Sequence, residues 1–267
     1  SMEITTLIEN LVYQSGLVAE HGLSFYMEGY HKKILFDTGQ SDRFIDNAKA
    51  LGIDLSDVDA LVVSHGHYDH TGGLEAFLKI NTNAVIYMKP GAIDAKYHGK
   101  DRFIGTSIDP QLLKDRLSLV YERTEIDKGI FVMPHTPLVN ADDTAMHGFQ
   151  VKEGLQIKDD TFQDELFLTI ERNGELSIIS SCSHRGISNM VYEAVRTFSL
   201  PVDLILGGFH LKNCTSRQYE EVVACLNKIN PTRIGVCHCT GIEKYFTLKQ
   251  DLTCTVFYNM TGHRVFI

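Results

Sequence analysis

Residues 58–73, VDALVVSHGHYDHTGG, constrain this chain more than any other stretch. A short run rich in Val and Leu has the signature of a buried strand. Here it ends directly in His65, His67, Asp69 and His70, closed by a double glycine. Ending a buried strand in imidazoles is an odd way simply to add solubility, whereas strand ends of α/β folds are where ligand sites are built. In extended chain, H-x-H points both rings to one side, because alternate residues share a face. Asp69 and His70, on the following turn, are then placed for a second metal. Neutral imidazole and carboxylate suit zinc, with manganese or iron as alternatives. Two such ions ~3.5–4 Å apart share a hydroxide and lower the pKa of its parent water from about 15.7 to about 7. The motif therefore predicts a dinuclear hydrolytic centre.

The remaining pattern is mixed. EITTLIEN reads as a strand and LSFYMEGYHKKILFDTG as a hairpin turning near Gly29–His31. DRFIDNAKALGI has helical spacing, with Asp42 as its N-cap and Gly52 as its stop. LEAFLKI reads as a helix, NAVIYMK as a strand, and ELFLTIERNGELSIISS as a hairpin turning at Asn173–Gly174. ISNMVYEAVRTF and SRQYEEVVACLNKI are helical, with VDLILGG and RIGVCH as strands after them. This order predicts an α/β (α+β) fold of two packed mixed sheets covered by helices. No repeat or linker-like tract interrupts it, so residues 1–267 are expected to form one domain, with a less regular, pocket-shaping insertion around 90–140.

Several further histidines follow predicted strands: His184 after ELSIISSCS, His210 after VDLILGGF, and His238 at the end of RIGVC. The net charge of −9 disfavours nucleic acid or an anionic membrane as partner, yet leaves room for an anionic small molecule beside bound cations. All six cysteines lie in the last third without C-x-x-C pairing, which fits reduced thiols better than a disulfide framework or zinc ribbon. The N-terminal stretch lacks the basic start and apolar core of a signal peptide, and no apolar run reaches membrane-spanning length. A cytoplasmic location is the expectation.

SHGHYDHTGG after a buried strand, with LFDTG upstream, resembles the metallo-β-lactamase superfamily. AEHGLSF, CSHRGISN, GGFHL and CHCTG are similar to its branch of 7,8-dihydropterin-6-methyl-4-(β-D-ribofuranosyl)aminobenzene 5′-phosphate synthase-like proteins. The resemblance implies a four-layer αββα fold, with His65 and His67 on a first metal and Asp69, His70 and His238 on a second. It implies that Asp69 also orients the attacking hydroxide and that Asp37 supports the metal loop from behind. The bridging aspartate expected in this superfamily is not evident. SCSHRG stands at its strand end, leaving His184, Asp164 or Glu165 as the replacement. Asp164 and Glu165 read equally well as solvated turn charges. His210 is a candidate proton donor to the leaving group. Arg185 is a candidate clamp for phosphate, and His21 a candidate pocket residue from the other sheet. Cys237 and Cys239, flanking His238, are expected as buried apolar thiols, with a thiolate ligand there as the alternative.

These residues predict a metal-dependent hydrolase, with two zinc ions, acting on a small phosphate-bearing molecule through a metal-bound hydroxide. The branch implies an alternative transferase that joins a pterin methyl carbon to an aminobenzene ribosyl phosphate. A non-hydrolytic di-iron redox or ligand-sensing protein is a third class. It is disfavoured because oxygen-reducing relatives carry glutamate at the position of His67 and pair with a flavin domain.

Overall fold

Two mixed seven-stranded sheets organise the chain, and the computed structural model describes residues 1–267 in full. The residues divide into two units, each built on one of those sheets. The first unit comprises Ser1–Tyr121, Met146–Glu165 and Met260–Ile267; the second comprises Glu122–Ala145 and Leu166–Asn259.

In the first unit the strand order is Arg264–Phe266, Glu3–Ile8, Ser24–Glu28, Lys33–Phe36, Ala60–Val62, Val85–Met88 and Leu117–Leu119. Pairing is antiparallel as far as Lys33–Phe36 and parallel from there onward. The hairpin closes at Gly29, whose N–H donates to the Lys32 carbonyl at 2.8 Å. The helix Arg43–Ala50 buries Phe44, Asn47 and Ala48 and stops at Gly52, which has φ +75°. Asp42 occupies the N-cap position, as the sequence reading has it, but its side chain makes no capping hydrogen bond. Ser41 makes one instead: its hydroxyl accepts from Arg43 N–H at 3.2 Å and donates to the buried Glu20 carboxylate at 2.6 Å. The helices and sheet share a core that includes Leu7, Leu35, Phe44, Leu61, Val63 and Phe77. Each such side chain contributes roughly 1.5–3 kcal/mol by leaving water.

A small antiparallel sheet of Gln156–Asp159, Phe149–Glu153, Lys96–His98 and Arg102–Phe103 belongs to the same unit and was not legible in the sequence. The irregular 90–140 stretch is divided. Lys96–His98 and Arg102–Phe103 join this small sheet, and Leu117–Leu119 edges the first large one. Thr124–Asp127 and Ile130–Met133 edge the second.

The second sheet runs Thr255–Tyr258, Arg233–Val236, Val202–Gly207, Glu175–Ser180, Phe167–Arg172, Ile130–Met133 and Thr124–Asp127. Its first four strands are parallel and the others antiparallel. The hairpin turn sits at Asn173 and Gly174, both left-handed at φ +53° and +73°, as its two-residue loop requires. Helices cover Ile187–Phe198, Ser216–Ile229 and Ile242–Asp251, the second capped by Thr215 accepting from Gln218 N–H at 3.1 Å.

Register then determines what lies side by side. Phe36 pairs with Val62, so Asp37 emerges beside the segment that starts at Ser64. Ser180 pairs with Gly207 and Gly207 with Val236, so three successive strand ends open next to one another.

Asn81 closes the loop between Leu55 and Ala84. Its amide donates to the carbonyls of Leu55, Ser56 and Val58, while its oxygen accepts from Ala84 N–H and Arg116. Asn81→Ala strands these buried groups, each worth ~1–3 kcal/mol. Denaturant unfolding should show a loss of about 3 kcal/mol or more, and a loss under about 1 kcal/mol would contradict this role.

Candidate metal centre

The motif begins on a buried carboxylate. Asp37 is fully buried and sits at φ +64°, a left-handed conformation that, glycine apart, Asp and Asn adopt most readily. One oxygen accepts from Ser64 N–H at 2.7 Å; the other accepts from Ser64 Oγ–H at 2.6 Å and from His70 Nδ1 at 2.8 Å. Ser64 Oγ also meets His65 Nδ1 at 2.8 Å. The serine has one proton and gives it to Asp37, so His65 Nδ1 must be the donor in that contact. Both imidazoles therefore carry hydrogen on Nδ1 and direct Nε2 as the metal-binding atom. Such outer hydrogen bonds are what fix the tautomer and ring orientation of metal-ligating histidines.

The rings converge. His65 lies with its centroid 4.6 Å from that of His67 and 4.4 Å from that of His70. His67 stacks on Phe149 at 5.4 Å and meets the edge of Phe162 at 5.4 Å. These two aromatics form an apolar wall that shields the imidazole from water. No motif marks them, because they arrive from the small sheet and from the loop that follows it.

Asp69 and His70 fall on a short helix, Tyr68–Thr71. Asp69 Oδ2 lies 3.3 Å from His70 Nε2 and 3.2 Å from His21 Nε2. His21 thus comes from the connection between the first two strands of the same sheet, not from the other sheet as expected. Burial works against charge on His70, yet the carboxylates of Asp69 and Asp37 outweigh it and hold the imidazole well above its usual pKa. The pocket favours positive charge at that ring.

The loop has almost no steric freedom. A Cβ on Gly66 would meet the Ala92 carbonyl oxygen at 1.7 Å, and one on Gly72 would meet that of Gln40 at 2.1 Å. Gly66 N–H donates to Asp164 Oδ2 at 2.8 Å, and the same oxygen lies 3.4 Å from the Lys96 ammonium. Lys96 is itself buried and donates to the Gly91 carbonyl at 2.8 Å. Asp164 and Glu165 are thus buried, at 3% and 1% exposure, which overturns their reading as solvated turn charges. Asp164 braces the backbone between His65 and His67.

The second unit assembles its own set from three strand ends. His184 Nδ1 contacts the Ala145 carbonyl at 2.8 Å, and Ala145 N–H donates back to the His184 carbonyl at 2.7 Å. The loop carrying Ala145 is fixed by Asp143, which accepts from Ser188 N–H and Oγ–H and from the Gln218 amide. Burial raises the Asp143 carboxyl above its ordinary range despite those bonds. His210 lies against His184 with ring centroids 4.3 Å apart, and its backbone N–H donates to Cys239 Sγ at 3.2 Å. His238 opens a one-turn 3-10 helix at φ +52°, and His210 has φ +51°. Strained non-glycine backbone thus recurs at Asp37, Ser183, His210 and His238, the pattern of segments held for a purpose. Cys182, which the sequence reading did not assign a role, places Sγ within 4.8 Å of a ring nitrogen of His184 and of His238. Cys237 is buried as expected; Cys239 is half-buried. Arg185 Nε donates to the Thr136 carbonyl at 3.1 Å.

This donor chemistry fits a divalent ion. Imidazoles held by buried partners through Nδ1 lie beside carboxylate in one unit and beside thiol in the other, a set that suits zinc or iron. Asp37→Asn keeps a residue tolerant of left-handed backbone while removing the double acceptor. Zinc affinity, measured by competition with a chromogenic chelator, should fall about 10–100-fold; an unchanged affinity would contradict the orienting role. Asp164→Asn leaves the Lys96 charge buried without its counter-ion and should cost about 3–5 kcal/mol in unfolding experiments. Adding Lys96→Met should recover much of that loss, whereas additive losses would show that the pair is uncoupled.

A family model described as the metallo-β-lactamase superfamily matches residues 18–150. The chain is 29% identical over 261 residues to the 7,8-dihydropterin-6-methyl-4-(β-D-ribofuranosyl)-aminobenzene-5′-phosphate synthase of Methanocaldococcus jannaschii, covering 91% of this chain and 89% of that protein. It is 33% identical over 253 residues to the uncharacterised protein MJ0448 of the same organism, covering 92% and 94%. Among solved structures, Tm1679, described as a metal-dependent hydrolase of the β-lactamase superfamily, matches with a TM-score of 0.87 and 30% identity, covering 100% of this chain and 99% of that one.

Proposed function

The chain belongs to the metallo-β-lactamase superfamily, and from that premise we propose that it is a cytoplasmic, metal-dependent hydrolase of a small phosphate-bearing molecule. The observation that carries this reading is the buried Asp37 network, which aims His65 and His70 through Nε2. In this proposal His65, His67, Asp69, His70, His184 and His238 are metal ligands. Zinc, as two ions, is the proposed metal. When bound it supplies Lewis acidity, lowering the pKa of water and polarising the bond to be broken.

The protein groups around it have separate tasks. Asp37 and Ser64 hold the imidazoles in one tautomer. Asp69 takes the proton of the attacking water, and the exposed His21, whose Nδ1 accepts from the Asn10 amide at 3.2 Å, holds the Asp69 carboxylate in place by donating from Nε2 to Oδ2. His210 donates a proton to the leaving group from its imidazole. The planar fork of Arg185, held through Nε, binds phosphate oxygens. Six free cysteines and the absence of any helix long and apolar enough to cross a membrane support the proposed compartment.

A second reading is favoured by the 29% identity to the synthase across most of both chains. There the same groups would serve a transferase of the dihydropterin–aminobenzene ribosyl phosphate type. Two assays separate the readings. Metal-loaded protein is offered phosphodiesters, phosphomonoesters, lactones and thioesters, and separately a pterin pyrophosphate with the aryl ribosyl phosphate. Turnover in the first supports the hydrolase, and a coupled product in the second supports the transferase. Elemental analysis should find more than one zinc, manganese or iron ion per chain, and chelation should abolish turnover. His67→Ala should lower kcat by about 100-fold or more, while Arg185→Ala should raise KM about tenfold with kcat little changed. The reverse ranking, or activity in metal-free protein, would refute these roles.

A further inference from the structure

We propose that Cys182 is a thiolate ligand of the metal centre, the donor that serves the positions of both His184 and His238. This rests on the metal-centre reading above and adds a ligand to it. Cys182 is buried at the end of the strand Glu175–Ser180, and its Sγ is within 4.8 Å of a ring nitrogen of each of those histidines, which come from different strand ends. Donors bound at about 2.0–2.3 Å to one tetrahedral ion stand roughly 3.5 Å apart, so a small side-chain adjustment brings sulfur and either nitrogen onto one ion.

The surroundings hold the thiol in place. Ser183, the next residue, has φ +61°, and its hydroxyl donates to the Gly208 carbonyl at 2.7 Å. A Cβ on Gly207 would meet the Ser180 carbonyl oxygen at 1.7 Å, and one on Gly208 would meet that of Ser181 at 2.4 Å. The double glycine therefore lets the two strand ends close on each other around the cysteine. Cys239 stands behind it. Its Sγ lies 3.4 Å from Cys182 Sγ and 3.4 Å from the Cys182 carbonyl oxygen, and it accepts the His210 backbone N–H.

A shared donor must offer lone pairs to two ions, which a thiolate does and a neutral imidazole does not. Asp164 Oδ2 is taken by the Gly66 N–H and the Lys96 ammonium. His184 has Nδ1 on the Ala145 carbonyl and so offers a single nitrogen with one lone pair. A thiolate sulfur has lone pairs for two ions. On metal binding the S–H bond breaks, the sulfur keeps the electron pair and bonds the metal, and the proton leaves to solvent. Such a donor prefers zinc, iron or cobalt to manganese or magnesium.

Cobalt(II) loading of the full chain tests the assignment. The wild type should show visible ligand-field bands together with an intense near-ultraviolet sulfur-to-cobalt charge-transfer band. Cys182→Ser should lose the charge-transfer band and keep ligand-field bands, while Cys239→Ser should retain both. Ligand-field bands without charge transfer in the wild type would overturn the thiolate and leave the metal centre standing. A charge-transfer band that survives Cys182→Ser, or disappears with Cys239→Ser instead, would assign the sulfur elsewhere. No cobalt spectrum at all would overturn both readings. X-ray absorption of zinc-loaded wild type needs no variant: a sulfur scatterer at about 2.3 Å is expected, and nitrogen and oxygen alone would refute the proposal.

Discussion

The buried carboxylate of Asp37 is the interaction on which the rest of the site depends. A carboxylate out of water is costly unless every oxygen is well bonded. Here the bonds come from the Ser64 backbone and hydroxyl and from His70. Parallel register between Lys33–Phe36 and Ala60–Val62 is what brings Asp37 to Ser64. The sheet thereby sets the distance, the serine relays it, and the tautomers of His65 and His70 follow without further adjustment. Electrostatics agree with the geometry, because the Asp37 and Asp69 charges favour a cation where the His70 ring stands.

Two solutions to the same positioning problem appear in the two units. In the first, one carboxylate and a tightly packed glycine loop hold three imidazoles, with Asp164 and Lys96 bracing the backbone between them. In the second, three strand ends in register do the work, helped by Asp143 anchoring the loop that holds His184. Left-handed backbone at Asp37, Ser183, His210 and His238 costs of order 1–3 kcal/mol at each position, so the surrounding packing must over-determine these segments. The superfamily fold supplies that packing, and the residues at the strand ends supply the chemistry.

Much of this was legible because it is local. Strand-end histidines, the Asn173–Gly174 turn and the helices 187–198 and 216–229 each carry their signal within 14 residues or fewer. What was hidden depends on residues distant in sequence. Phe149 and Phe162 reach His67 from far along the chain, and the brace from Asp164 to Gly66 spans 98 positions. Asp42 shows that a good cap residue yields when Ser41 has a buried partner in Glu20. Cys182 was hidden for a chemical reason. A cysteine beside a histidine reads as packing until strand register brings His238 to the same sulfur.

The account's central claim is that His65 and His70 present Nε2 to metal because Asp37 and Ser64 occupy Nδ1. Anomalous diffraction from zinc-loaded crystals, recorded on both sides of the zinc edge, tests it most directly. The account predicts anomalous peaks within bonding distance of the Nε2 atoms of His65 and His70, with both Nδ1 contacts intact. Peaks bonded through Nδ1, or peaks only at sites remote from these rings, would contradict it.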